Sequence, residues 1–150
     1  MLALPRWLGR LRPVGAAVAL VLAAHAPLQA QGFRVIAHES VAASELPAAT
    51  VAGLFTKQAT KFPDGAAAVP VDQPVASPAR AAFSTRVLGR RPAAVEQFWQ
   101  QQIFSGGGTP PSQRPSDDAV IAFVKSTKGA IGYIGGDGPS PAGTRLIAIK

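Results

Sequence analysis

In the run Ser77-Pro78-Ala79-Arg80, residue types and spacing combine into a chemical device. Ser77 is a natural N-cap and Pro78 a favourable first helical residue, so a helix should begin here and stop at Gly89. A helix start carries unpaired N–H groups and partial positive charge, which suit a small oxyanion. Ser77 would offer its hydroxyl and Ala79 and Arg80 their backbone N–H groups. The Arg80 guanidinium adds a planar fork that fits phosphate or carboxylate. Pro78 removes one donor. Simple capping by Ser77, with Arg80 turned to solvent, is the plainer arrangement of the same residues, because caps far outnumber anion sites.

Other candidate chemistry is thin. Zero cysteine excludes disulfides, zinc-thiolate sites, iron–sulfur clusters and thiol nucleophiles. His38 has Glu39 and Ser40 beside it, yet a triad needs three groups converging in space, and strand neighbours point to opposite faces. His38 is the one histidine after residue 30, too little for a histidine-based metal site, so neither a catalytic group, a metal nor a cofactor is expected, and His38 reads as a strand-end residue entering a polar loop. Asp117 and Asp118 are adjacent and diverge on a helix, so they read as first-turn charge after the Ser116 cap. Ser105-Gly106-Gly107-Gly108-Thr109 lacks the Lys-Ser/Thr and following helix of a phosphate loop, and two prolines come next, so it reads as a connection between helices.

The elements that must position these groups lie after residue 30. Residues 1–30 hold Arg6, Arg10 and Arg12, no acid, then an apolar run from Val14 to Ala24 and a small residue at Ala30. That order is the layout of a signal peptide, with cleavage expected before Gln31 and a periplasmic destination. The apolar run is short for a bilayer, which needs about 20 residues. Removal takes 3 of the 15 bases and none of the 8 acids, leaving a net charge of +4. The remaining bases are scattered, with no basic stripe or interleaved aromatics, which argues against nucleic acid as a partner.

Residues 31–150 can build one small core and no second domain. Phe33–Ala37 reads as a strand, and Pro47 opens a helix through Phe55 with Val51, Leu54 and Phe55 facing inward. Phe62-Pro63-Asp64-Gly65 is a turn and Ala68–Asp72 a short strand. The Ser77 helix has an apolar stripe of Ala79, Phe83 and Val87, leaving Arg80, Ser84 and Arg86 off it. A helix over Ala93–Ile103 should bury Val95, Phe98, Trp99 and Ile103, and another follows Ser116 with Val120, Ile121, Phe123 and Val124. Ala130–Ile134 and Arg145–Ile149 close the chain as strands. This order predicts a mixed α/β sheet flanked by helices.

Several stretches together resemble the phosphate ABC transporter substrate-binding proteins. They are Leu54-Phe55, Phe62-Pro63-Asp64-Gly65, the Ser77-to-Phe83 helix start, Phe98-Trp99, Phe104-Ser105-Gly106 with Pro110-Pro111, and Gly129-Ala130-Ile131-Gly132-Tyr133, in that order across Phe33 to Ile134. The resemblance implies a periplasmic-binding-protein type II-like fold. It also implies an exported, non-catalytic protein that binds phosphate or a similar oxyanion through Ser77, Ala79 and Arg80 and meets a membrane transporter. Two departures stand out. Phosphate-binding members carry Ser-Gly-Thr, often followed by Arg, where this chain has Ser77-Pro78-Ala79-Arg80, and the exported part is about one lobe long. The alternative expectation is an interaction module, a binding lobe that no longer holds its ligand and contacts a membrane protein or a second copy of itself.

Overall fold

A computed structural model describes residues 32–136 and 139–150; the expected signal peptide lies outside them. The elements run β1 (Phe33–His38), β2 (Glu45–Leu46), α1 (Ala48–Phe55), β3 (Val69–Asp72), α2 (Pro78–Phe83), a π-helical turn (Ser84–Leu88), α3 (Pro92–Phe104), β4 (Ser112–Gln113), α4 (Asp117–Ser126), β5 (Ala130–Gly135) and β6 (Thr144–Ile149). The strands form one sheet in the order β2-β6-β1-β5-β3-β4. β1 lies at its centre, antiparallel to both β5 and β6, while β3 runs parallel to β5 and to β4. The expected mixed α/β architecture is what forms.

Alternation along β1 and β5 assigns the two faces of the sheet. Phe33, Val35, Ala37, Ile131 and Tyr133 pack with α1 and α2, whereas Ile36, Ala130 and Ile134 pack with Val120 and Val124 of α4. The first core is aromatic at its centre. The Phe83 ring stacks on Tyr133 at 4.1 Å, meets Phe33 edge-on at 5.6 Å and lies 4.7 Å from Phe55. The second core depends on Gly132. A Cβ there would come within 2.6 Å of Val71 Cγ1 and 2.8 Å of Val120 Cγ1, so α4 lies against the bare backbone of β5. Gly132→Ala is therefore expected to destabilise the protein by about 1–3 kcal/mol, the usual cost of overpacking, read as a lower urea midpoint.

The structure corrects several local expectations. Pro47, expected as the first helical residue, stands one position earlier as the N-cap of α1, directly after the two-residue strand β2. The helix begun at Ser77 is α-helical only to Phe83 and then widens by a π-turn. Arg80, which precedes that turn, and Ser84, at its start, are both buried although they were expected off the apolar stripe. Ile103, expected inside, is 52% exposed, because α3 packs on the π-turn through Val95 and Trp99 and its C-terminal end runs past the core. Phe98 is half-buried.

Candidate functional site

β3 and β5 run parallel and end side by side, and open α/β sheets bind ligands beyond the carboxyl ends of such strands. The loop Gln73–Ser77 leaves β3 there, and α2 and α4 both begin there. Each helix start is capped locally. Ser77 Oγ accepts from Arg80 N–H at 3.3 Å, and Ser116 Oγ accepts from Ala119 N–H at 3.2 Å. The two caps follow from the Ser-x-x spacing that both segments share.

The space between these ends is filled by side chains of the chain itself. Gln73, buried, donates from Nε2 to Asp117 Oδ1 at 2.8 Å and to the Tyr133 carbonyl at 2.9 Å. Its Oε1 accepts from Ser77 Oγ at 2.7 Å. Asp117 uses its second oxygen to accept from Gly135 N–H at 3.0 Å. One amide side chain thus ties α2, α4 and β5 together.

Arg80 is the cation of the site, and only 1% of it is exposed. Its Nη1 donates to Asp72 Oδ2 at 2.7 Å and to the Gln73 carbonyl at 2.6 Å, and its Nη2 donates to Glu96 Oε1 at 2.8 Å. Nε is buried and has no partner. Asp72 in turn accepts from Tyr133 Oη and, at 2.8 Å, from Gln73 N–H. Burial pushes the Asp72 carboxyl above its ordinary value, against the pull of Arg80 and the Tyr133 hydrogen bond. The Tyr133 phenol is held far above its ordinary value by burial and by the Asp72 charge, so it keeps its proton and donates a hydrogen bond to Asp72.

Of the sequence-predicted site residues, Ser77 is half-buried at the tip, and Ala79 and Arg80 are buried behind it. The solvent-facing Arg80 of the plain capping arrangement does not form; its guanidinium points inward, to carboxylates. Four residues of the site carried no functional expectation: Asp72, Gln73, Glu96 and Tyr133. Alternation from Ile131 could have placed Tyr133 inside, where a buried phenol needs a hydrogen-bond partner. Nothing in the local pattern announces Glu96, which arrives from α3. His38 ends β1 as expected, with Nδ1 2.8 Å from Ser40 Oγ. Asp117 and Asp118 do occupy the first turn of α4, but Asp117 is also a structural acceptor.

Electrostatically the site is unusual for an anion receptor. One guanidinium faces two carboxylates, Asp72 and Glu96, and a third, Asp117, joins the same hydrogen-bond network through Gln73. An incoming oxyanion would meet net negative charge and a cation whose Nη groups are already engaged.

No family model and no curated protein matches the chain. Solved structures do. A protein described as a phosphate ABC transporter substrate-binding protein with bound phosphate, from Clostridium perfringens, is 18% identical over 79% of this chain and 44% of its own, with a TM-score of 0.62. An ABC-type phosphate transport receptor from Vibrio cholerae aligns at 13% identity over 79% of this chain and 46% of its own, TM-score 0.59. The PstS protein of Borrelia burgdorferi is also 13% identical, over 79% and 47%, with the same TM-score. The likeness shows the fold: α/β, of the periplasmic-binding-protein type II-like class. The chain spans less than half the length of these solved proteins. Among the described residues no helix is long and apolar enough to cross a membrane.

Proposed function

We propose that this chain is an exported, non-catalytic interaction module, built on a substrate-binding-protein lobe whose anion position has become a structural ion-pair network. The observation that carries this reading is Arg80, buried and held between Asp72 and Glu96. A ligand-binding guanidinium must exchange water for ligand, and this one has exchanged water for two carboxylates and a carbonyl. The partner is a protein surface, either a membrane transporter component or a second copy. The exposed Val75, beside Ser77 at the tip, and the 91% exposed Phe104 at the end of α3 give the module apolar contact points.

A second reading keeps phosphate as the ligand of Ser77, Ala79 and Arg80. It is favoured by the unpartnered Nε of Arg80 and by the phosphate-binding descriptions of the structural neighbours. Isothermal titration with inorganic phosphate separates the two. The interaction-module reading expects no saturable heat up to about 1 mM phosphate, a Kd at which binding would be worth only about 4 kcal/mol. Saturation at micromolar phosphate, lost in Ser77→Ala, would establish the second reading and overturn the first.

A further inference from the structure

The start of α3, the π-turn and the end of α1 line a cavity of about 180 Å³. Its walls are of two kinds. Leu88, Val95 and Phe98 make an apolar floor, while Thr56, Gln58 and Arg90 stand at its polar margin. The π-turn builds this arrangement. Its wider spiral carries Leu88 to the wall, and Gly89, at a φ of +64°, turns the chain so that Arg90 N–H returns to the Ser84 carbonyl at 3.1 Å. Single π-turns are disproportionately frequent at functional sites.

The charge around the cavity has one sign. The Arg90 guanidinium lies 5.3 Å from the centre of the Phe98 ring. Arg86, Arg90 and Arg91 are exposed and fall within six residues, and among the described residues none of them pairs with a carboxylate. No acid lines the cavity. Thr56 spends its hydroxyl proton on the Ala52 carbonyl at 2.8 Å, so Gln58 and Arg90 supply the available side-chain donors. A pocket with a small apolar body, donors at one margin and no carboxylate selects an anion that has an apolar end. Its volume is well under the roughly 300–1,000 Å³ of pockets for drug-sized ligands, so the ligand is small.

We infer that this cavity is a binding site for a small apolar carboxylate, with the carboxylate on the Arg90 fork and the hydrocarbon end against Leu88, Val95 and Phe98. The guanidinium suits a carboxylate because two parallel N–H groups meet two oxygens. Stacked above Phe98, it is also held in place before the ligand arrives. The site is independent of the Arg80 network, so phosphate titration at α2 does not bear on it.

Benzoate is the probe, followed by saturation-transfer NMR on the purified chain. Wild type is expected to transfer saturation to the ring protons of benzoate, with half-saturation at about 1 mM or below. Arg90→Gln should weaken binding about tenfold, the scale of one charge-assisted pair, and neutral benzamide should be weaker than benzoate by a similar factor. Arg91→Gln, outside the cavity, should change it less than about twofold, because an exposed charge acts through solvent. Both variants alter exposed side chains and leave the core intact. No transfer at about ten times that concentration would overturn the proposal. So would equal losses in Arg90→Gln and Arg91→Gln, which would mean diffuse attraction, or equal binding of benzamide, which would mean that the charge plays no part.

Discussion

Arg80→Ala is expected to cost the protein about 3–5 kcal/mol, because it strands Asp72 in a buried position without its cation. A loss of that size is a large share of the 5–15 kcal/mol typical of a domain. The same substitution in an open anion site would barely change stability and would act on ligand affinity alone. Urea denaturation therefore reads the role of Arg80 directly. Two companion variants sharpen the result. Glu96→Gln should cost much less, since the Glu96 side chain is 40% exposed and water can replace its half of the pair. Asp72→Asn combined with Arg80→Met removes both charges, and should recover a substantial part of the loss in the single variant. A wild-type midpoint in Arg80→Ala would overturn the structural role assigned to the network.

Phe83→Ala should be of comparable size, about 3–5 kcal/mol for a large aromatic removed from a closed core. Phe83 touches Phe33, Phe55 and Tyr133, three rings from three different elements, and none of them can collapse into the gap without leaving the others. The effect should extend to the site, because the stacked Phe83 ring fixes the plane of Tyr133, whose hydroxyl donates to Asp72. Near-ultraviolet circular dichroism of the tyrosine band, followed alongside the denaturation midpoint, checks both parts. A lower midpoint with an unchanged tyrosine band would separate the core from the site.

Much of the fold was legible because its signals are local and periodic. The bulky apolar run Phe33–Ala37 marks a strand, and Ser116 with Asp117 and Asp118 marks the start of α4 without ambiguity. The Ser77 cap was legible for the same reason. The two-residue strands β2 and β4 were not, since two residues carry no period. The direction of Arg80 was hidden for a deeper reason. An arginine on a short helix reads as solvent-facing unless its counter-charges are known, and these lie 8 residues before it and 16 after it. Only tertiary packing brings Asp72 and Glu96 to the same guanidinium. Ile103 illustrates the opposite error: helical spacing says which residues share a face, but not how far along the helix its support extends.

The position of β6 has a consequence for how the molecule comes into being. β6 lies between β1 and β2, pairing Val35 with Ile147 and Glu45 with Ala148, and Ala48 N–H reaches the carbonyl of Lys150. A chain leaving the ribosome therefore holds β1 with both edges unpaired until β5 and then β6 have emerged. Loop closure over such separations is slow, and a bare strand edge invites foreign pairing while it lasts. Assembly of this sheet must thus be a late and concerted event, completed by strands far along the chain from β1.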